Sequence, residues 1–443
     1  MDAIINFSNI HLVDGYRYNE KLRLAERYKE LNVAELIRAA AQSIQIRDTH
    51  VRGLSKLAEG GFNHVLQSIM NDNTQILARL PYPSIQLKQL AVASEVATWN
   101  LLRAHGFPVP RVHAYSADAN NPIGSEYIIM EKLPGRPLGD IWVDMSDNQR
   151  LKVLLQPVQL ETKRHAIELP ANTLRIDIPD SDFCTGPFAT LRWWFGERAT
   201  LAAWTQSIFR DAALKELTWL RAYGRPRFPF ECAYRETMKY QLSLPSDHMR
   251  SLEKYLKSLP LLRHPALQRN NIFVLDDFEI VGLTDWQHAS VLPLFLAAGI
   301  PKFFQNYDDP ESHAFRLPPP PDLEGMDDEE KAFALEDFLR RHTHFFYLAF
   351  TRRFNEPHFQ TIQQSTNMLT RRIFNHAGEP WEGNNIPLQN DLVLVIELWH
   401  EYSTGPCPIS FFSAEAKSFM QLQDMQEDVD LPLKRVRKRL AIV

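Results

Sequence analysis

The pattern of apolar and polar positions changes character near the start of the chain. Between residues 18 and 44, apolar residues recur at helical spacing, which predicts two helices. Partly alternating runs follow at 51–58 and 63–70, and a third run occupies 75–80. Runs of this length, separated by turn residues, are typical of antiparallel strands. The pattern therefore predicts a helical N-terminal extension followed by a three-stranded sheet.

A helix and two further strands complete this first region. Val92, Val96 and Trp99 lie on one apolar stripe, which predicts a helix. Apolar runs at 111–115 and 126–130 predict the two strands. The order of three strands, one helix and two strands predicts a small α+β lobe.

From residue 133 onward the pattern is mainly helical. Two short apolar runs at 271–275 and 279–283 interrupt it and predict a β-hairpin. Four consecutive prolines at 318–321 predict a stiff extended segment, which an acidic helix start follows.

The composition is that of a globular chain, and it argues against one class of partner. Of 443 residues, 44% are hydrophobic and 23% are charged, and 49 basic against 54 acidic side chains give a formal charge of −5. A chain without net positive charge does not attract phosphate backbones through counterion release. We therefore expect no nucleic acid partner.

The cysteines and the N-terminal residues indicate a reducing compartment. Cys184, Cys232 and Cys407 are odd in number and widely spaced, which argues against a disulfide framework or a zinc ribbon. The first residues carry an acid where a signal or transit peptide carries a basic residue, and no apolar run is long enough to cross a bilayer. We therefore expect a cytoplasmic protein without a membrane span.

The first region contains residues that suit a nucleotide. Gly60 and Gly61 lie between two predicted strands, where missing Cβ atoms let backbone N–H groups approach a phosphate. Arg79 lies on the third strand and Glu95 on the following helix. A strand cation paired with a helix carboxylate holds the α- and β-phosphates of ATP in kinase-type folds. Each residue alone also fits an ordinary turn or a solvated charge, but their order favours the nucleotide site.

The connector after the fifth strand and the hairpin supply further candidates. An apolar strand ends at Glu131 and Leu133, where backbone groups can meet the edge of an adenine base. Asn271 and Asp285 flank the hairpin, and an amide oxygen beside a carboxylate suits Mg²⁺, which prefers oxygen ligands and keeps some water.

Ordered matches to a known family extend along most of the chain. They lie at 56–63, 78–81, 93–98, 126–132, 186–187, 193–194, 219–224, 285–287, 376–377 and 380–383. Through these segments the chain resembles the fungal branch of the aminoglycoside phosphotransferase-like proteins. The resemblance implies a two-lobed, protein-kinase-like α+β fold, with ATP, Mg²⁺ and a small-molecule substrate in the interlobe cleft. In this branch an arginine, here Arg79, stands where other kinases place lysine.

The resemblance also implies a division of the chain. We expect a helical extension at 1–50, a small antiparallel N-lobe at 51–132 and a large, mainly helical C-lobe at 133–443. The C-lobe is expected to contain the catalytic-loop hairpin at 264–287.

The catalytic loop departs from the family pattern, which looks like H-P-D-L-H-x-x-N. At the positions of its two histidines, its aspartate and its asparagine, this chain has His264, Gln268, Ala266 and Asn271. The aspartate of such loops accepts or orients the proton of the substrate hydroxyl, and alanine has no polar atom for this role. We therefore expect impaired phosphoryl transfer, with His264, Gln268, Asn271 and Asp285 as the remaining candidates for catalysis.

Three functions fit these residues. The first is a small-molecule kinase with a weakened or displaced base, for which Asp182 and Glu197 are candidates. The second is a non-catalytic pseudokinase scaffold. The third is an enzyme that uses the kinase-like cleft for non-phosphoryl chemistry on a specialised metabolite, since fold does not fix function. That enzyme would draw on polar residues near the altered loop, among them Arg269, Asn270 and His288.

Overall fold

The computed structural model describes residues 27–59, 62–85, 88–165, 196–200, 208–258, 269–286, 298–307, 309–403 and 405–440. Within these stretches the chain forms two units. The first consists of residues 27–145 and 269–286, and the second of residues 146–258 and 298–440.

The alternating runs of the first region form one antiparallel sheet. Its strands are β1 (Val51–Glu59), β2 (Asn63–Met70), β3 (Gln75–Pro81), β4 (Val112–Ser116) and β5 (Tyr127–Glu131). The strand order is β1-β2-β3-β5-β4, and every neighbouring pair is antiparallel. Each strand begins and ends within one residue of the predicted run, so the prediction of these five strands is confirmed.

Two helices belong to this sheet, α1 (Val33–Ser43) and α2 (Lys88–Ala104). The side chain of Asn32 caps α1 by accepting the backbone N–H of Glu35. Apolar residues of α1 form one core with one face of the sheet, to which Ile76, Ala78 and Leu80 of β3 contribute. Successive strand residues point to opposite faces, so Arg79 lies on the other face of β3.

A second, small sheet lies in the same unit. Its strands are β6 (Arg136–Pro137), β7 (Ile272–Val274) and β8 (Ile280–Leu283), in the order β6-β7-β8. The predicted hairpin is present, with shorter strands, and β6 is an addition that the sequence pattern did not indicate. Gly135 precedes β6 with a φ of 87°, and a Cβ there would lie 2.4 Å from the carbonyl oxygen of Val274. Only glycine combines that conformation with this approach.

The later part of the chain is mainly helical, as predicted. After the short helix α3 (Leu138–Ile141) of the first unit, the helices of the second unit are α4 (Asp147–His165), α5 (Ile208–Tyr223), α6 (Cys232–Thr237), α7 (Pro245–Ser258), α8 (Pro310–His313), α9 (Asp328–Phe354), α10 (Glu356–Gln363), α11 (Ser365–Gly378), α12 (Ile386–Glu397), α13 (Trp399–Tyr402) and α14 (Ser413–Leu440). Short 3₁₀ turns occupy Asp48–His50, Gly196–Thr200, Arg269–Asn271 and Lys302–Phe304.

The core of the helical unit joins α5, α7, α11 and α12. Leu217, Leu252, Ile373 and Leu392 are among its buried members. None of the helices in the described stretches is long and apolar enough to span a membrane. The fold class is therefore confirmed: a small antiparallel sheet unit is followed by a larger helical one.

Candidate functional site

Arg79 is the centre of the candidate site. Its strand, β3, lies between β2 and β5, with Arg79 paired to Val65 on one side and Ile128 on the other. The guanidinium is buried, and it contacts Oε1 of Glu95 through Nη1 and Oδ1 of Asp285 through Nη2, the latter at 3.0 Å. Burial opposes the charge of Arg79, but the carboxylates of Glu95 and Asp285 outweigh it and raise its pKa. The arginine therefore stays charged and links a helix to the end of the hairpin.

Glu95 anchors this arginine from α2. Its side chain is 3% exposed and also accepts the backbone N–H of Trp286. Burial raises the pKa of Glu95 to about 7, while Arg79 and the Trp286 N–H lower it in part. The carboxyl group is therefore able to change charge near neutral pH.

Asp285 is the exposed member of the group, with 44% of its side chain accessible. It follows β8 with a φ of 61°, in the left-handed region that aspartate tolerates better than most residues. Two backbone hydrogen bonds fix the chain just before it, from Leu283 N–H to the Pro108 carbonyl at 2.7 Å and from Thr284 N–H to the Asn271 carbonyl at 2.9 Å. These bonds hold the carboxylate at the solvent side of Arg79.

Asn271 brings an amide to the same carboxylate. It ends the 3₁₀ turn before β7, and its Nδ2 lies 3.5 Å from Oδ2 of Asp285. No group of three or more His, Cys, Asp or Glu side chains with metal-site geometry occurs within the described stretches. One amide and one carboxylate nevertheless fit Mg²⁺, which accepts oxygen ligands and completes its shell with water or phosphate.

Glu131 and Leu133 lie at the end of β5. The backbone N–H of Glu131 donates to the Arg111 carbonyl, and its carboxylate accepts the Arg111 N–H at 3.0 Å. Leu133 is buried against β8, since a Cβ at Gly282 would lie 2.2 Å from its Cδ1. The side chain of Leu133 therefore packs beside the strand that leads to Asp285.

Several predicted residues lie outside the described residues, so the structure does not place them. They are Gly60, Gly61, Asp182, His264, Ala266, Gln268 and His288. Phe62, which lies between the glycine pair and β2, is described, and its carbonyl accepts the Tyr82 N–H at 3.0 Å.

Glu197, considered above as a substitute base, is already engaged. It is the second residue of the 3₁₀ turn Gly196–Thr200, and its carboxylate accepts the indole N–H of Trp219 at 3.2 Å. Its own backbone N–H and Trp219 lower the pKa of Glu197. A carboxylate with a lowered pKa is a weaker proton acceptor, which disfavours Glu197 as the base.

Two contacts of the site could not be foreseen. The backbone N–H of Trp286 reaches Glu95, and the Pro108 carbonyl accepts from Leu283. Both involve backbone groups, which carry no residue-specific signal. The sequence offers only the adjacency of Asp285 and Trp286 as a hint.

The chain is similar in sequence to one protein family and to several fungal proteins. The model of a family described as "Phosphotransferase enzyme family" matches residues 69–295. A subtelomeric hrmA-associated cluster protein of Aspergillus fumigatus is 28% identical over 453 aligned positions, which cover 88% of each chain. Altered inheritance of mitochondria protein 9 of Candida albicans is 32% identical over 116 residues, which cover 24% of this chain and 19% of that relative.

A solved structure also aligns with the chain. The GDP complex of aminoglycoside 2'-phosphotransferase-IIIa covers 90% of this chain and 99% of its own, at 12% identity and a TM-score of 0.38. The match to the family model agrees with the resemblance read from the sequence motifs.

Proposed function

The chain belongs to the phosphotransferase enzyme family, and we propose that it binds ATP with Mg²⁺ in the sheet-containing unit while transferring phosphate poorly. One observation carries this proposal: the buried Arg79 joins Glu95 to Asp285, and Asp285 keeps 44% of its side chain exposed. The family match spans these three residues. A buried cation beside an exposed carboxylate suits a phosphate group and a metal ion together.

Each residue has a defined task in this proposal. Glu95 keeps the guanidinium of Arg79 in place, so that its planar N–H groups present a fork to phosphate oxygens. Asp285 and Asn271 would offer oxygen ligands to Mg²⁺; in the free protein Nδ2 of Asn271 faces Asp285, and its amide oxygen is the atom that would bind the ion. Mg²⁺ bound there would neutralise charge on the phosphate oxygens. Arg79 and Asp285 pair with each other in the free protein; in the complex, Arg79 would pair with a phosphate and Asp285 with the metal ion.

Leu133 and Glu131 complete the proposed nucleotide site. Leu133 packs on Gly282 and supplies an apolar surface next to β8. The N–H of Glu131 is already bonded to Arg111, so its carbonyl oxygen is the group we assign to the adenine edge. Gly60 and Gly61 are proposed to approach the phosphates from the β1–β2 connection.

The step that we propose to be slow is removal of the proton from the substrate hydroxyl. Ala266 stands where the family pattern has the aspartate that handles the substrate hydroxyl proton. General base catalysis contributes about 10²- to 10⁴-fold to a rate. We therefore propose slow or absent phosphorylation of a small-molecule acceptor, with nucleotide binding retained. His264 and Gln268 are the residues we assign to the remodelled loop.

The first experiment compares thermal unfolding of the full chain with and without Mg-ATP. A ligand at a hundredfold excess over its Kd stabilises the folded state by about 3 kcal/mol, so the melting temperature should rise. Asp285→Ala should abolish the rise, because it removes the exposed carboxylate. Asp276→Ala is the matched control, since this acid lies in the turn of the same hairpin, is 96% exposed and pairs only with Arg136 among the described residues.

A nucleotide-consumption assay then separates the remaining alternatives. Turnover by the wild type identifies a kinase, whereas turnover that appears only in Ala266→Asp identifies a nucleotide-binding pseudokinase. The absence of any Mg-ATP effect, in unfolding and in direct titration, contradicts the proposal. The cleft chemistry on a specialised metabolite then becomes the leading alternative.

A further inference from the structure

The segment between α8 and α9 has the covalent constraints of a polyproline II helix. Pro318, Pro319, Pro320 and Pro321 each fix φ near −65°. Each residue that precedes a proline is also held in an extended conformation, which includes Leu317. Within the described part of the chain, residues 316–321 make no backbone hydrogen bond, as a polyproline II helix requires none.

Burial along this segment repeats every three residues. Pro318 and Pro321 are partly buried, whereas Leu317, Pro319, Pro320 and Asp322 are exposed. Phe315 is also partly buried, but its φ of 48° places it outside the polyproline II helix. A polyproline II helix has three residues per turn, so one edge packs on the protein and two edges face solvent. Phe315 comes shortly before the helix and packs on the helical unit, with ring centroids 5.3 Å from Phe345 of α9 and 6.0 Å from Phe359 of α10. The helix is therefore mounted on the helical unit rather than suspended as a free linker.

The two outward edges differ in chemistry. Leu317 and Pro320 share one edge, about 9 Å apart at 3.1 Å per residue, and Leu317 is 58% exposed. Pro319 and Asp322 share the other edge, and both are exposed; Arg316, also exposed, lies just before the helix. Aromatic-lined grooves of partner domains bind Pro-rich segments that already have this conformation, and the apolar edge presents Leu317 and Pro320 to such a groove.

We propose that this segment, which we call the proline ridge (residues 317–322), is a docking site for a partner domain with an aromatic-lined, polyproline-reading groove. The ridge is already in the bound conformation, so the partner loses little conformational entropy on binding. Leu317 and Pro320 enter the apolar pockets. This proposal does not depend on the nucleotide site.

Charge orients the partner on the ridge. Acidic residues follow its C-terminal end, at Asp322, Glu324 and the start of α9, whose capping box is formed by Asp327 and Glu330. Arg316 lies just before its N-terminal end. The groove therefore has basic residues at the end that receives Asp322 and acidic residues near Arg316, since complementary charge fixes register more than affinity.

The test measures binding of purified SH3, WW and EVH1 domains to the full-length protein by fluorescence anisotropy, with each domain labelled. We expect one class to bind saturably, with a preference that weakens as salt rises. The double variant Leu317→Ala, Pro320→Ala should lower that affinity about tenfold or more, because it removes both anchors of the apolar edge. Leu335→Ala is the matched control, since Leu335 is 42% exposed on α9 and lies outside the ridge.

The outcomes separate cleanly. Loss of binding in the ridge variant but not in Leu335→Ala, with an unchanged melting temperature, supports the proposal. Equal binding by the ridge variant and the wild type overturns it, as does failure of all three domain classes to bind the wild type. Asp285→Ala should bind the partner domain as the wild type does, which keeps this result separate from that of the nucleotide experiment.

Discussion

Each unit of the molecule contains a buried arginine–glutamate pair, and the two pairs differ in what else the arginine contacts. Arg79 and Glu95 of the sheet unit have side chains that are 9% and 3% exposed. Arg198 and Glu216 of the helical unit have side chains that are 6% and 3% exposed. Burial and residue type are therefore the same in both, and neither property distinguishes a ligand site from a structural pair.

The pair of the helical unit is closed on all sides. Glu216 accepts Nε and Nη2 of Arg198 at 2.6 and 2.5 Å, and its Oε1 also accepts the backbone N–H of Trp381 at 2.8 Å. The ring of Trp219 covers the guanidinium, with 3.8 Å from its carbon to the ring centroid. Each charge meets a partner inside the unit, which is typical of a structural ion pair.

The pair of the sheet unit is open at one end. Arg79 uses its second Nη group for Asp285, whose side chain is 44% exposed and whose backbone is left-handed. Non-glycine residues in that conformation are uncommon and cluster at functional sites. A buried ion pair is weak evidence for either stability or function. What marks the sheet unit is the connection from a buried cation to an accessible carboxylate.

The largest expected effect comes from Glu216→Ala. It leaves the charge of Arg198 buried without a carboxylate and the Trp381 N–H without an acceptor. Removal of one partner of a buried pair destabilises a protein by about 3–5 kcal/mol. Denaturant unfolding of the full chain should show this loss.

Glu253→Ala is the control for that measurement. Glu253 lies in the same unit and pairs with Arg221 at 3.5 Å, but both side chains are more than half exposed. Exposed pairs contribute about 0–1 kcal/mol. If both variants lost similar stability, the closed character assigned to the Arg198–Glu216 pair would be wrong.

The next effect is a pH dependence at Glu95. Its pKa is about 7 in the folded protein, mainly because of burial, against 4.5 for an ordinary glutamate. Between these values the folded state holds a proton that the unfolded state has released, so the free energy of unfolding falls as pH rises through this window. Glu95→Gln, which does not titrate, should gain on the wild type by on the order of 1–3 kcal/mol between pH 5 and pH 8.

The measurement is the difference in melting temperature between Glu95→Gln and wild type, taken at several pH values. Titrations elsewhere in the molecule cancel in this difference, because both proteins share them. Asp276→Asn serves as the control, since its carboxylate is 96% exposed. A difference that stays constant from pH 5 to pH 8 would show that the pKa of Glu95 is not raised into this range.

The sequence predicted the sheet unit closely because burial there imposes a pattern. Most side chains of β2 and β3 are buried on both faces of the sheet, and each strand coincides with a largely apolar run of the sequence. β6 has only Arg136 and Pro137, too few residues for any period to be visible. Its position depends on the close approach of Gly135 to Val274, which is a tertiary contact.

The sequence indicated the charged residues of the candidate site but not the backbone groups that contact them. Arg79, Glu95 and Asp285 were selected by residue type and order, and the structure brings these three together. Their assigned roles toward a nucleotide stay predictions. The Trp286 N–H and the Pro108 carbonyl were missed, because any residue supplies the same backbone groups.

The smallest expected effect tests how the closed pair is covered. Trp219→Phe keeps an aromatic ring over Arg198 but loses the hydrogen bond to Glu197 and some buried volume, so it should destabilise the protein by about 1–2 kcal/mol. Trp219→Leu keeps an apolar side chain but is smaller and has no π face, and should lose about 0.5–2 kcal/mol more than the phenylalanine variant. Equal stability of the two variants in denaturant unfolding would mean that an aromatic face at residue 219 does not stabilise the Arg198–Glu216 pair. The Arg198–Glu216 pair would then be held by the hydrogen bonds of Glu216 alone. Its difference from the Arg79–Glu95 pair would be that Arg79 contacts a second, exposed carboxylate, that of Asp285.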